Sequence, residues 1–294
     1  MSYHEVLPSD TDPNITNTPI PNTTDQFYQH RVYSGAATSS PFLCLFLVGL
    51  GGHPVGVQSL LQVAASLGHH VVGLEYLSNT PEGDLCGNCS DCYGPLHAQS
   101  FDGQNESSVL NVDANNCILN RLVKLLAWLS QHFAAENWGQ FLDASGSPVW
   151  GNIIAAGHSL GGGHAAWIAK QYAVKRLAMF GVGESVTADG NSFLPSYSPA
   201  HWLTLPHATP GTSYFGFVNA YDRRFSRGIA GWTALGLPAP LTGVENNLPP
   251  YNNAHQLVSL HKYPDAAHPN LDPHIAIVAD EARYKEVWKY LLKA

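Results

Sequence analysis

Gly157-His158-Ser159-Leu160-Gly161 lies between the apolar run Asn152-Ile-Ile-Ala-Ala156 and a stretch of helical character from Leu160 to Val174. A five-residue G-x-S-x-G pattern is short and says little alone. Its flanks make it specific. The run before it has strand character and the segment after it has helix character, so Ser159 stands on a strand-to-helix turn. Glycines beside the serine suit a turn too tight for side chains. Gly161, Gly162, Gly163, Ala165 and Ala166 keep the first helical turns small, so the helix can pack close to a sheet. On such a turn the Ser159 hydroxyl projects at the carboxyl end of the sheet, toward the N–H groups that open the helix. The N–H of Leu160 is then placed to donate to an oxyanion, a contact whose loss typically costs about 10²–10³ in rate.

Outward from this turn, apolar runs and helical stretches alternate. Strand candidates are Phe42 to Val48, His70 to Tyr76, Asn152 to Ala156, Arg176 to Phe180, Tyr214 to Val218 and Gln256 to Leu260. Helical spacing marks Val55 to Leu67, Val109 to Phe133, Leu160 to Val174 and Ala282 to Leu292. Strands apolar on both faces, alternating with helices, predict an α/β fold with a mostly parallel central sheet covered by helices on both faces. Residues 1–27 are polar and rich in Pro, Asn and Thr, and are expected to form an irregular arm. No repeat and no Ser/Gly linker divides residues 28–294, which are expected to be one domain. Long segments at 78–108, 184–212 and 223–254 are expected to frame a pocket, with Gly51, His158 and Trp202 at its wall.

Composition narrows the function classes. Of 294 residues only 12% are charged, against a typical ~25%. The 22 acidic and 14 basic residues give a net charge of -8, and no Lys/Arg cluster is apparent, which excludes a nucleic-acid partner that would require a basic face. No apolar run approaches the ~20 residues of a membrane helix, so no integral membrane segment is expected. The first residues have neither a basic n-region nor an apolar h-region and do not read as a signal peptide. Low Lys content favours a secreted or periplasmic protein, its signal already removed, over a cytoplasmic one. The oligomeric state is not legible.

Five cysteines are present: Cys44, Cys86, Cys89, Cys92 and Cys117. The Cys86-x-x-Cys89-x-x-Cys92 run lacks the fourth ligand of a zinc site or of a cubane cluster. A disulfide pinning a loop is expected, joining Cys86 to Cys92 or to Cys117, ahead of free thiols and ahead of a metal.

A serine hydroxyl is a poor nucleophile until a base takes its proton, and the base needs an orienting carboxylate. In folds with this elbow the chain order is serine, acid, histidine. Asp222 follows the strand ending at Val218 and is the preferred acid, with Asp189 and Glu184 as alternatives. His274, shortly before the last helix, is the preferred base and His268 the alternative, while His261 lies too close to its strand. The Gly49-Leu50-Gly51-Gly52 loop should supply the second oxyanion donor, from Leu50 or from Gly51. His158 is expected to pack beneath the turn.

The elbow Gly157-His-Ser-Leu-Gly-Gly-Gly-His-Ala165, the Leu47-Val-Gly-Leu-Gly-Gly52 run, Tyr221-Asp222 and His274 before a C-terminal helix together resemble the α/β-hydrolase superfamily, serine esterase and lipase-like members in particular. The resemblance spans roughly residues 28–294. It implies an α/β-hydrolase fold, a Ser159-Asp222-His274 triad and cleavage of a small-molecule carboxylic ester through an acyl-enzyme, with no cofactor and no metal. The same triad could serve an acyltransferase or an amidase, and the fold could serve a non-catalytic binding protein. The cysteine-bearing segment at 78–108 departs from the pattern.

Overall fold

The computed structural model describes all residues except 36–40, 105, 184 and 188–196. From the N-terminus, β1 (Tyr3–Val6) leads into the one-turn helix α1 (Pro8–Thr11) and then β2 (His30–Tyr33). Next come β3 (Leu43–Leu47), α2 (Gln58–Ser66) and β4 (His70–Leu74). The cysteine-bearing segment holds α3 (Glu82–Cys86) and α4 (Tyr93–Asp102), and α5 (Ile118–His132) precedes β5 (Ile153–His158). The serine turn joins β5 to α6 (Leu160–Gln171), followed by β6 (Arg176–Phe180), β7 (Ser185–Thr187), β8 (Tyr197–Pro199) and α7 (His201–Thr204). The chain ends with β9 (Tyr214–Asn219), α8 (Phe225–Ala234), β10 (Leu241–Gly243), β11 (Gln256–Ser259), α9 (Pro273–Ala279) and α10 (Glu281–Leu292).

Nine strands form one sheet in the order β1-β2-β4-β3-β5-β6-β9-β11-β10. β2 pairs antiparallel with both β1 and β4, and every other neighbouring pair is parallel. β7 and β8 make a separate antiparallel pair. The central strands β3, β4 and β5 are buried along their whole length, as parallel strands covered on both faces must be. Helices α2, α9 and α10 pack against one another, and α4 packs against both α5 and α6. Trp288 of α10 is fully buried, and its indole donates to the Ile277 carbonyl of α9 at 2.7 Å.

Two expectations about elements change. The helix expected from Val109 begins at Ile118. Asp113 explains the delay: its carboxylate accepts from the N–H groups of Asn115 and Asn116, a local turn that competes with helix. Cys117 then caps α5, its sulfur accepting from the Asn120 N–H. Residues 1–27, expected as an irregular arm, include β1 at the sheet edge and a buried Ile15. The segment is held by the fully buried Arg121 of α5, which donates to the Thr16 carbonyl at 2.8 Å.

Candidate active site

Ser159 occupies the turn between β5 and α6 with φ 52° and ψ -122°. A non-glycine residue in that region stores about 1–3 kcal/mol of strain, which the surroundings must enforce. They do so from both sides. The Ser159 N–H donates to the Phe180 carbonyl at the end of β6, at 2.8 Å, and the Ser159 carbonyl accepts from Gly162 and Gly163. A Cβ on Gly157 would come within 2.3 Å of the Gly161 carbonyl oxygen, and one on Gly161 within 2.2 Å of the Leu47 carbonyl oxygen. Only glycine lets α6 start this close to β3 and β5.

Asp222 lies in the turn after β9, three residues past its end, with one oxygen accepting from the Arg224 backbone N–H at 2.8 Å. His274 sits on the first turn of α9, where Asp272 caps the helix by accepting from the His274 N–H at 2.7 Å. The two side chains, 52 residues apart in sequence, meet with His274 Nδ1 2.5 Å from Asp222 Oδ2. Both are buried. Burial alone would raise the Asp222 pKa, but the hydrogen bond from His274, its charge and the Arg224 N–H together bring it below the ordinary carboxylate value. His274 Nε2 is also buried and makes no hydrogen bond.

Ser159 and His274 line the same cavity, of about 430 Å³, together with Leu50, His53, His158, Arg223 and Arg224. Among the described residues no hydrogen bond joins the Ser159 hydroxyl to His274 Nε2. Ser159 also borders a second cavity, of about 330 Å³, lined by Leu50, Leu160, Pro81, Asp84, Tyr93 and the arginines 223, 224 and 227. Ser159 thus stands where the two meet.

The glycine loop 49–52 lies against the serine: a Cβ on Gly49 would fall 3.2 Å from Ser159 Cβ. Leu50 lines both cavities, and among the described residues its N–H makes no backbone hydrogen bond. The N–H of Gly51, the other expected donor, is committed to the Ser78 carbonyl at 3.0 Å. Gly51 lines neither cavity.

His158 does pack beneath the turn. Its ring is buried, and burial followed by the neighbouring His274 pulls its pKa down to about 3, so it is neutral. Nε2–H donates to the His274 carbonyl at 2.9 Å, which orients α9 from below. Trp202, expected at the pocket wall, lies elsewhere. It is 2% exposed, packs on Trp167 and His97, and borders a separate cavity between α4, α6 and α7. Its large apolar ring is better buried beneath α4 than held at an open mouth. His268, the alternative base, borders neither Ser159 cavity and hydrogen bonds to Asp265 at 3.2 Å. The alternative acids Glu184 and Asp189 lie outside the described residues.

Cys86 and Cys92 form a disulfide that ties the end of α3 to the start of α4, while Cys44, Cys89 and Cys117 are free. Among the described residues no group of three or more His, Cys, Asp or Glu is arranged to hold a metal ion. Among the described residues no helix is long and apolar enough to cross a membrane.

The sequence reading did not find His53. Its Nδ1 lies 3.1 Å from both carboxylate oxygens of Glu75, and its ring stacks on Tyr28 with centroids 3.3 Å apart. The position after Gly51-Gly52 and the place of Glu75 just past β4 were the available signals. It also passed over Arg223-Arg224 and Arg227, a small basic cluster that the turn after Asp222 brings beside Ser159.

No protein-family model and no curated protein sequence matches this chain. It is similar to several solved structures. Esterase 2 of Thermogutta terrifontis, phosphorylated by paraoxon, has 12% identity and a TM-score of 0.47, over 98% of this chain and 95% of that one. An esterase domain from a Rhodothermus marinus protein has 13% identity and a TM-score of 0.42, over 99% and 98%. EstE1, a carboxylesterase cloned from a metagenomic library, has 13% identity and a TM-score of 0.41, over 97% and 89%. Likeness of that depth carries no weight for fold or chemistry. The molecule's own topology does: a mostly parallel sheet, antiparallel only at β1 and β2, with Ser159 on the tight turn between β5 and α6 and with Asp222 and His274 following after β9 and β11. The chain has the α/β-hydrolase fold.

Proposed function

We propose that this protein is a serine hydrolase that cleaves carboxylic esters of small molecules. In this reading His274 removes the Ser159 proton as Ser159 attacks the ester carbonyl. The N–H groups of Leu50 and Leu160 hold the oxyanion. His274 then protonates the leaving alcohol, and water activated by the same ring releases the acid. Asp222 holds the imidazole with Nε2 toward the cavity and stabilises its cation. Residues 28–294 act as one catalytic domain. Residues from 78–108 and 223–254 form its pocket wall, a reading supported by Pro81, Asp84, Tyr93 and the arginines beside Ser159.

The observation that carries this reading is His274: one nitrogen 2.5 Å from a buried carboxylate, the other buried without a partner, on the cavity that Ser159 shares. His30 and His70 also bury one ring nitrogen without a hydrogen bond, so what sets His274 apart is the combination with a buried carboxylate partner and a cavity shared with Ser159. The missing serine contact does not count against it, because catalytic hydrogen bonds often tighten only when substrate binds. The test is a panel of p-nitrophenyl esters of increasing acyl length, with a p-nitroanilide as the amide counterpart. Wild type should turn over at least one ester, and Ser159→Ala should lose about 10⁵ in kcat. Wild-type silence on every ester, or an unimpaired Ser159→Ala, would sink the proposal.

A further inference from the structure

Ser159 faces an unusual concentration of positive charge. Arg223, Arg224 and Arg227, three of only 14 basic residues in a chain of net charge -8, line one cavity beside it. Among the described residues Asp84 is the one acid in the same lining. Arg223 and Arg224 also border the cavity that holds His274, where Asp272 is the acid. Arg223 and Arg224 follow directly on Asp222 and Arg227 lies in the first turn of α8, so the segment that presents Asp222 to His274 also brings these side chains to the cavities that Ser159 borders.

Among the described residues no ion pair or side-chain hydrogen bond engages the guanidinium of Arg223 or Arg224. Arg224 is half-buried, and burial first, then Arg223 and Arg227, weaken its hold on its proton, against the opposing pull of Asp222 and Asp272. Like charges held close together cost stability, and arginine's planar fork matches carboxylate and phosphate oxygens. A cleft lined by one sign of charge also concentrates ligands of the opposite sign, here against the repulsion of an otherwise acidic surface.

We propose that the substrate carries an anionic group, a carboxylate or a phosphate, held by Arg223 and Arg224 beside the ester that Ser159 attacks. This rests on the hydrolase reading above and narrows it to anionic esters.

The kinetic test compares the 4-nitrophenyl monoester of adipic acid with its methyl-capped neutral counterpart, which differ in one charge. The ratio of their kcat/KM values should favour the anion by about tenfold at low salt, as one partly buried charge contact allows. It should fall toward one in Arg223→Gln/Arg224→Gln and at about 0.5 M NaCl, where the Debye length drops to a few ångströms. Arg224→Lys, which keeps the charge and loses the fork, should retain part of the preference. A ratio near one in wild type, or one unchanged by the double substitution, overturns the proposal.

A binding test needs no turnover. Adipate and inorganic phosphate are added separately to Ser159→Ala, and Tm is measured. A rise with adipate that disappears in Ser159→Ala/Arg223→Gln/Arg224→Gln assigns a carboxylate-bearing ester, and one with phosphate assigns a phosphate-bearing ester. No rise with either anion counts against the site. The double substitution should itself raise the ligand-free Tm, since it relieves the repulsion. If neither adipate ester nor any p-nitrophenyl ester of the panel is hydrolysed the function reading fails, and the thermal shift still decides the anion site.

Discussion

Two histidine–carboxylate pairs flank the cavity beside Ser159, and they are built for different work. His274 meets a single oxygen of Asp222 at 2.5 Å, and its other nitrogen is buried and unpartnered. His53 straddles both oxygens of Glu75 at 3.1 Å and lies flat against Tyr28. The carboxylates differ more than the rings do. Asp222 takes only a backbone N–H besides its histidine. Glu75 is fully buried near Arg121, whose pKa is pulled down to about 10 by burial while the Glu75 charge opposes that pull. Arg121 in turn donates to the carbonyls of Glu75, Asn116 and Thr16. The Glu75 charge therefore compensates a buried cation at the heart of the fold, whereas the Asp222 charge is left to serve His274. In the proposed reaction the same pair of side-chain types holds structure on one side of the cavity and moves a proton on the other.

The comparison breaks most sharply at the rings. His274→Ala should lower kcat on a p-nitrophenyl ester by about 10⁵, whereas His53→Ala should lower kcat/KM by no more than about tenfold. If His53→Ala proves the more damaging, the roles are reversed. The carboxylates sharpen it further. Asp222→Asn should cost about 10⁴ in kcat and leave Tm nearly unchanged, because it keeps the shape and loses only the orienting charge. Glu75→Gln should do the converse, changing activity less than about tenfold while lowering Tm by about 5 °C, since it leaves Arg121 with less compensation. Circular dichroism melts beside the kinetics separate the two patterns. The smallest effect belongs to His268→Ala, expected to stay within about twofold of wild type because its ring is bonded to Asp265, away from Ser159. A loss as large as that of His274→Ala would reassign the base.

How far the site was legible follows from how local each part is. Ser159 is defined within ten residues of chain, where the strand, the glycines and the small-residue helix all speak for one turn. Asp222 and His274 could be ordered but not paired, because their contact is made across 52 residues by the register of β9 and the cap of α9. His268 and His274 look alike in sequence, and only Asp265 beneath one and Asp222 beneath the other tell them apart. Trp202 was misplaced because an aromatic residue in a long segment fits a core and a pocket wall equally well. The alternation of strands and helices was visible in β3, β4, β5, β6, β9 and β11, but not in the three-residue β10 at the far edge of the sheet. It was not visible in β1 and β2, which are four residues each and lie amid polar chain, so that pairing rather than periodicity defines them.

That inconspicuous first strand has a consequence for handling the protein. β1 is the outermost strand on its side of the sheet, short and carrying an ion pair between its Glu5 and Arg31 of β2. Trimming the first 27 residues would bare the row of N–H and C=O groups along β2, the kind of open edge that recruits strands from other molecules. The expected product is aggregate rather than a smaller enzyme, so the segment that looked like an appendage in the sequence is the molecule's guard against self-association.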